Sequence, residues 1–589
     1  MDVVLTFALA FLLAWPLGRY MARVFRGERT FLDPLLNGLE RGVYRFLGVL
    51  PERGMSWRGY ARAILWSNFA LGTVAYLVFI FQGVLPLNPD GVSGLRWDTA
   101  LHTAASFITN TNQQHYSGQA QLSYLSQMVG VTALQLITPT AGLAVLVAIL
   151  RGLQGGLGKL PAGEPKNLGN FYVDLTRGLT RVTLPLSFVL ALLLVWQGVP
   201  STFGGAKTAY LVQPQEEVTE QTIPVGPVAA MVAIKQLGTN GGGWYGPNSA
   251  VPLENPTPLS NLLETIALIL VPVASVFMVG YFLRQRRFGV MILSVMTATS
   301  ILLTTMTIVA ENSPNRAFDG LAAVGTNMEG KEVRFGATAS ALWASLTTQT
   351  SNGSVNAMHD SLTPLGGMMP LVGMLINETY GGWGVGLINF LLFVLLTVFI
   401  AGLMVGRTPE LFGKKVEARE IKLVAAALLL QPLLILVPTA ITLFFPALTG
   451  NSNPGFHGIT QVFYEYTSAF ANNGSGFEGL GDATPWWNLT TSVSLILGRF
   501  VPLLAPLAVA GYLAQKRPTP TTTGTLRVDT PIFAVTTFSV IVLLTLLNFL
   551  PVLVLGPISE ELVREQDVPQ ILQGLEPQKA SIPALGGTW

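Results

Sequence analysis

The sequence predicts an all-α polytopic membrane protein: four span–pore-helix–span repeats around a pseudo-fourfold pore, with two extra flanking transmembrane helices, about ten spans in all. Three observations predict it. Half of the 589 residues are hydrophobic, 11% are charged and the mean hydropathy is +0.50, which excludes an ordinary soluble domain. Four short peptides share one pattern: Thr109-Asn110-Thr111-Asn112, Thr239-Asn240-Gly241-Gly242, Ser351-Asn352-Gly353-Ser354 and Asn472-Asn473-Gly474-Ser475, each with Asn second and three with Gly third. Finally, Lys and Arg gather in alternate loops.

Crossing about 30 Å of hydrocarbon takes roughly 20 apolar residues. Such runs lie near 3–21, 64–81, 129–150, 184–199, 266–283, 290–310, 383–405, 423–445, 489–514 and 532–555. The first begins at Met1-Asp2 with no basic n-region and no small-x-small cleavage site, and reads as a retained helix rather than a signal peptide. The chain divides into an N-terminal span and loop (1–58), repeats at 59–151, 180–287, 288–407 and 420–516, and a C-terminal span and tail (528–589). Within each repeat the shared peptide follows a stretch too short to span as a helix: 99–108, 228–238, 338–350 and 458–471. Aligned on the second-place Asn, at 110, 240, 352 and 473, the repeats are 130, 112 and 121 residues apart, too long for a solenoid and right for a span–half-helix–span unit.

Orientation follows from charge. The segments 19–62, 151–181, 284–287, 407–422 and 516–527 hold 25 of the 34 Lys and Arg, whereas 446–488 holds none. The basic loops are expected in the cytoplasm, which puts both termini and all four half-helix loops outside. The acidic tail residues Glu560, Glu561, Glu565 and Asp567 agree. A cell membrane, crossed many times, is the expected location.

The shared peptides suit a dehydrated cation. Carbonyl rings replace a water shell, Gly lets backbone approach closely, Asn tolerates left-handed backbone, and non-helical backbone at membrane depth must be buried or line water. The half-helices are expected to aim their partly negative C-termini at the site. With no acid in any of the four peptides, a monovalent ion is favoured over Ca²⁺ or Mg²⁺. A net charge of +2 argues against a nucleic-acid partner, and zero cysteines exclude disulfides and thiolate sites. The histidines, His102, His115, His359 and His457, have no ligand spacing, so transition-metal transport is a poor fit and no cofactor is expected.

Simpler readings exist for several motifs. Asn352-Gly-Ser, Asn473-Gly-Ser and Asn488-Leu-Thr are formal glycosylation sequons, but the first two are in phase with two peptides that are not. Gly241 to Gly246 fits GxGxxG without a preceding strand, and His359-Asp360 lacks a nucleophile in phase. Two charges stand out. Arg499, mid-span, is expected to face the pore or pair with an acid, since a charge at that depth costs from about 2.5 to over 10 kcal/mol. Glu378, in a Gly-rich break (376–386), reads equally as part of a mobile gate or as the outer end of a helix.

Longer strings carry a family resemblance. Thr109-Asn-Thr-Asn-Gln, Lys235-Gln-Leu-Gly-Thr-Asn-Gly-Gly-Gly, Asn255-Pro-Thr, Val355-Asn-Ala-Met-His-Asp-Ser, Ala401-Gly-Leu-Met-Val-Gly-Arg-Thr-Pro-Glu-Leu-Phe-Gly-Lys-Lys and Leu497-Gly-Arg-Phe resemble the potassium-binding A subunits of Kdp potassium-transporting ATPases (KdpA), within the superfamily of Trk, Ktr and HKT transporters. Thr111 then occupies the Gly column of the first repeat, and the third peptide departs slightly from the family pattern. The resemblance implies that the four peptides form a K⁺ selectivity filter and that Arg499 opposes straight-through leakage. It implies a non-catalytic subunit whose partners are a P-type ATPase subunit (B), a C subunit and a small F peptide, with the ion passing sideways to the ATPase. The sequence has no Asp-Lys-Thr-Gly phosphorylation motif and no Walker A, since Gly158-Lys159 is followed by Leu160. The alternative is a stand-alone Trk- or Ktr-like channel or transporter.

Overall fold

The structure is a computed structural model that describes residues 2–158, 166–215, 218–314, 326–519 and 526–563. The acidic tail residues Glu565 and Asp567 lie outside the described residues.

Among the described residues ten helices are long and apolar enough to cross a membrane: α1 (Asp2–Arg26), α3 (Trp57–Phe81), α5 (Ser126–Gln154), α6 (Phe171–Gln197), α8 (Pro258–Phe282), α9 (Arg286–Asn312), α12 (Val385–Met404), α13 (Ala418–Phe444), α15 (Pro485–Leu513) and α16 (Pro531–Val563). Between the spans of successive repeats lie the half-helices α4 (Trp97–Ile108), α7 (Val228–Leu237), α10 (Gly336–Gln349) and α14 (Gly455–Phe470), of 12, 10, 14 and 16 residues. At about 1.5 Å per residue none spans a bilayer. Two shorter helices are amphipathic α2 (Asp33–Phe46) and α11 (Pro364–Ile376), beside one-turn helices at Gly118–Gln121 and Pro446–Thr449. A hairpin, β1 (Lys207–Gln215) and β2 (Val218–Ile223), pairs Lys207 with Ile223 between α6 and α7.

α15 packs against α4 and α5, so the fourth repeat meets the first. The extra helices stay outside this ring: α1 lies along α8, and α16 lies against α9 and α12. Gly18 makes the first contact close, because a β-carbon there would sit 2.6 Å from Phe277 Cβ.

Hydropathy misplaces the start of one span and misses one short helix. The fourth span starts at Phe171 rather than near 184, because Asp174, Arg177 and Arg181 depress the apolar signal inside a genuine helix. Two of those charges are paired: Arg151 bonds Asp174 at 2.6 and 2.8 Å, and Arg181 reaches Glu40 and Asp33, each at 2.5 Å. The second span of the third repeat is broken. α11 ends at Ile376, an eight-residue loop (377–384) follows, and the helix resumes as α12. Asn377, Tyr380, Gly381 and Gly384 are all left-handed in that loop, which no continuous helix accommodates.

Candidate functional site

Each half-helix delivers its last turn to one shared peptide, and the four peptides close into a ring. A β-carbon on Gly241 would meet the carbonyl oxygen of Asn352, one on Gly353 that of Asn473, and one on Gly474 that of Thr111. The second, third, fourth and first repeats are thus interlocked in that order. Gly242 shuts the remaining gap, where a β-carbon would sit 2.7 Å from Asn112 Cβ. Only glycine permits this approach, with φ of 82°, 84° and 100° at Gly241, Gly353 and Gly474.

The ring corrects the register of the first peptide. Asn240, Asn352 and Asn473 each donate their backbone N–H to the carbonyl five residues back, Lys235, Thr347 and Ser468. In the first repeat the residue that does so is Thr111, to Ser106. Left-handed backbone agrees: Thr239, Ser351 and Asn472 match Asn110 (φ 51°, 49°, 52° and 67°), and the three glycines match Asn112 (φ 56°). Structurally equivalent peptides are therefore Asn110-Thr111-Asn112-Gln113, Thr239-Asn240-Gly241-Gly242, Ser351-Asn352-Gly353-Ser354 and Asn472-Asn473-Gly474-Ser475. Thr109 belongs to the last helical turn, donating to Ala105 O, and Asn112 rather than Thr111 fills the glycine column. Matching Asn with Asn put the first repeat one residue out, because side-chain identity there does not follow backbone conformation.

Left-handed backbone at a non-glycine residue costs about 1–2 kcal/mol, and Thr239 is β-branched as well. The surroundings hold it. Asn352 Nδ2 donates to Lys235 O (3.1 Å) and Asn473 Nδ2 to Thr347 O (2.9 Å), so each amide binds the preceding half-helix. The same side chains accept from Ser354 N (2.9 Å) and Ser475 N (3.1 Å) within their own peptides. From α5, Gln135 Nε2 donates to Asn112 Oδ1 (2.7 Å) and Gly242 O (2.8 Å), and the Thr138 hydroxyl reaches Asn110 Oδ1 at 2.9 Å. Lys235, wholly buried on α7, is ion-paired with Glu254 and donates to Asn248 Oδ1 (2.6 Å) and Ser249 Oγ (2.7 Å). Asn248 in turn donates to Gly241 O at 2.6 Å. Sequence reading missed Gln113, Gln135, Thr138 and Lys235; polar residues three apart on an otherwise apolar span were the available signal for Gln135 and Thr138.

The two singled-out charges lie beside the ring. Glu378 sits in the buried loop after α11, and among the described residues its Oε2 has no hydrogen-bond partner. That loop touches the ring at Ser351 and the last turns of two half-helices. Ser351 Oγ donates to Asn377 Oδ1 (3.0 Å), Gly381 N to Gln349 O (2.9 Å), and Trp383 Nε1 to Leu237 O. Arg499, halfway along the 29-residue α15, is 5% exposed and donates to Thr138 O at 3.4 Å. Among the described residues no carboxylate pairs with it. A β-carbon on Gly142 would lie 3.2 Å from Arg499 Nη2 and 2.8 Å from Trp383 O, so the Arg499 head and the Glu378 loop meet at one point of α5. Of the two expectations for Arg499, pairing with an acid is not met among the described residues, which leaves it facing the space beside the ring.

Ten membrane-length helices among the described residues and four half-helices ending at a closed ring of peptides define a membrane protein of the fourfold pore-helix class. The potassium transporter TrkH of Vibrio parahaemolyticus has a similar fold, with a TM-score of 0.51 at 14% identity over 84% of this chain and 96% of that one. Residues 4–562 match the family described as the potassium-transporting ATPase A subunit. The chain is 50% identical over 552 residues to the potassium-transporting ATPase potassium-binding subunit of Gloeobacter violaceus, covering 92% of this chain and 94% of the relative. It is 48% identical to the same subunit of Alicyclobacillus acidocaldarius (93% and 96%) and of Pseudomonas aeruginosa (94% and 97%). The chain belongs to the A-subunit family of potassium-transporting ATPases, KdpA.

Proposed function

We propose that this chain is the K⁺-binding and K⁺-translocating subunit of an ATP-driven uptake complex. The observation that carries the reading is the closed ring of four peptides at the C-termini of four half-helices. Backbone carbonyls there can take the place of the ion's water, and the partly negative helix ends favour a cation. Under this reading the filter is formed by Asn110 to Gln113, Thr239 to Gly242, Ser351 to Ser354 and Asn472 to Ser475. Arg499, unneutralised beside the ring, raises the energy of a cation heading straight for the cytoplasm, and the Glu378 loop gates the same space.

The chain is read as non-catalytic, with ATP hydrolysed on a P-type ATPase subunit (B) and with the C subunit and F peptide completing the complex. The names of the relatives support an ATPase partner. The location is the bacterial inner membrane, with both termini and the filter mouth outside. The test is radioactive Rb⁺ flux into liposomes holding the purified chain with and without its ATPase partner. Flux is expected to need both the partner and ATP. Rapid ATP-independent flux through the chain alone would overturn the subunit reading in favour of a stand-alone channel.

A further inference from the structure

Two of the four histidines that look scattered in sequence meet in space. His102 and His115 stack with ring centroids 3.8 Å apart, and both are buried. His115 Nδ1 lies 2.7 Å from Asn488 Oδ1. The Asn488 amide is oriented by its other end, which donates to Asp98 Oδ2 at 2.9 Å, and Asp98 is held by Arg96 at 2.5 Å. An amide oxygen only accepts, so Nδ1 carries a proton, and Nε2 is the ring nitrogen turned toward the carboxylates, where a metal ion would displace its proton. Fixing a tautomer through the far ring nitrogen is how outer partners prepare a histidine for a metal.

Nε2 faces Glu465 Oε1 at 3.1 Å and Asp482 Oδ2 at 3.7 Å, and the three ligand atoms lie within 4.8 Å of one another. Nitrogen and oxygen ligands bound at about 2.0–2.2 Å in a tetrahedral arrangement stand roughly 3.3–3.6 Å apart, close to the two distances seen. Gln113 Nε2 donates to Glu465 Oε1, and among the described residues the Gln113 amide oxygen is buried with no hydrogen-bond partner. The Asp482 side chain is 28% exposed, which leaves a path for an ion and room for a water ligand.

We propose that His115, Glu465 and Asp482 form a binding site for a divalent first-row transition-metal ion, with Zn²⁺ the best match to one imidazole and two carboxylates. The ion takes the Nε2 lone pair and one oxygen from each carboxylate. It is bound where the first and fourth repeats meet, not carried through the ring. Gln113, the fourth residue of the first ring peptide, is bonded to the same carboxylate, so occupancy pulls on the ring. Only that last consequence rests on the transport reading.

The test uses the purified full chain in nanodiscs with Co²⁺ as the probe. The visible d–d bands of low-coordinate Co²⁺ are expected to saturate at one ion per chain and to vanish on adding Zn²⁺. They should be lost in His115→Gln and weakened about tenfold or more in Asp482→Asn. Asp482 lies at the solvent edge, so its variant keeps the test valid if His115→Gln fails to fold. Absence of the bands in the wild type, or their persistence in Asp482→Asn, overturns the site. In the assembled complex, Zn²⁺ should slow Rb⁺ uptake reversibly on chelation, each variant being read against its own metal-free rate. Uptake indifferent to Zn²⁺ at an occupied site overturns the link to the ring. Failure of metal-free uptake strikes the transport reading and leaves the Co²⁺ result standing.

Discussion

Lys235 and Arg499 are both cationic, both buried and both one contact from the ring, yet the fold treats them in opposite ways. Lys235 has three donors and three acceptors, one of them the carboxylate of Glu254. Arg499 has five donors and, among the described residues, a single long bond to a backbone carbonyl. Removing a charge from water costs several kcal/mol, and a well-made ion pair recovers much of it. The cost is offset at Lys235 and left standing at Arg499. A neutralised charge has little field left to act on a passing ion and serves to hold Asn248 and, through it, the Gly241 carbonyl. An unneutralised one projects its field into the space beside the ring.

The sharpest way to break this contrast is to make Lys235 resemble Arg499. Glu254→Gln strands a buried ammonium, and the expected loss is about 3–5 kcal/mol, read as a large fall in melting temperature of the detergent-purified chain together with lost Rb⁺ binding. A melting curve that overlays the wild type would end the distinction. Next comes Arg499→Met, which removes an uncompensated charge. The fold should be as stable as before or more so, with Rb⁺ binding kept, while ATP-coupled uptake drops about tenfold, equivalent to about 1.4 kcal/mol in the limiting barrier. Equal losses of binding and uptake would make Arg499 a scaffold residue like Lys235.

Thr138 tests whether Arg499 and the ring are linked. Its carbonyl accepts from Arg499 and its hydroxyl bonds Asn110. Thr138→Val deletes only the hydroxyl, and at about 1 kcal/mol for one hydrogen bond the expected result is a several-fold weaker Rb⁺ affinity by equilibrium binding, with uptake still coupled. An unchanged affinity would disconnect the two.

The smallest effect is a partly exposed version of the Lys235 arrangement. His457 bonds Asp360 at 2.8 Å and Glu560 at 2.9 Å. Burial pulls its pKa down, but the two carboxylates prevail and raise it from 6.5 to about 9. A raised value means that the stabilisation is complete below about pH 6.5 and is lost as pH rises through about 9. Discounted for solvent screening, the contribution is about 1 kcal/mol. The melting-temperature difference between wild type and His457→Gln should shrink across that window; a difference independent of pH would rule out the imidazolium.

The spans and half-helices were legible because burial in lipid writes itself into long apolar runs, and a half-helix is a run that stops early. What escaped the sequence depends on backbone conformation or on distant pairing. The register of the first ring peptide is fixed by φ at Asn110 and Asn112, which an Asn-for-Asn alignment does not reveal. The start of α6 was hidden by Arg181, whose partners Glu40 and Asp33 lie more than a hundred residues upstream. The interruption after α11 was read as a break but not as one buried against the ring, because Gly-rich sequence at the end of an apolar run looks the same at either depth. His115, Glu465 and Asp482 come together across 350 residues, a distance at which ligand spacing has no meaning.

Asn112 stands where the other three repeats have glycine. A pore assembled from four identical chains would repeat such a side chain at every quarter and crowd the axis fourfold. A single chain pays for each departure once, so one wall can be altered while three stay as they are. That freedom turns an object with rotational symmetry into one with a front and a back, and only such an object can release what it holds toward one side.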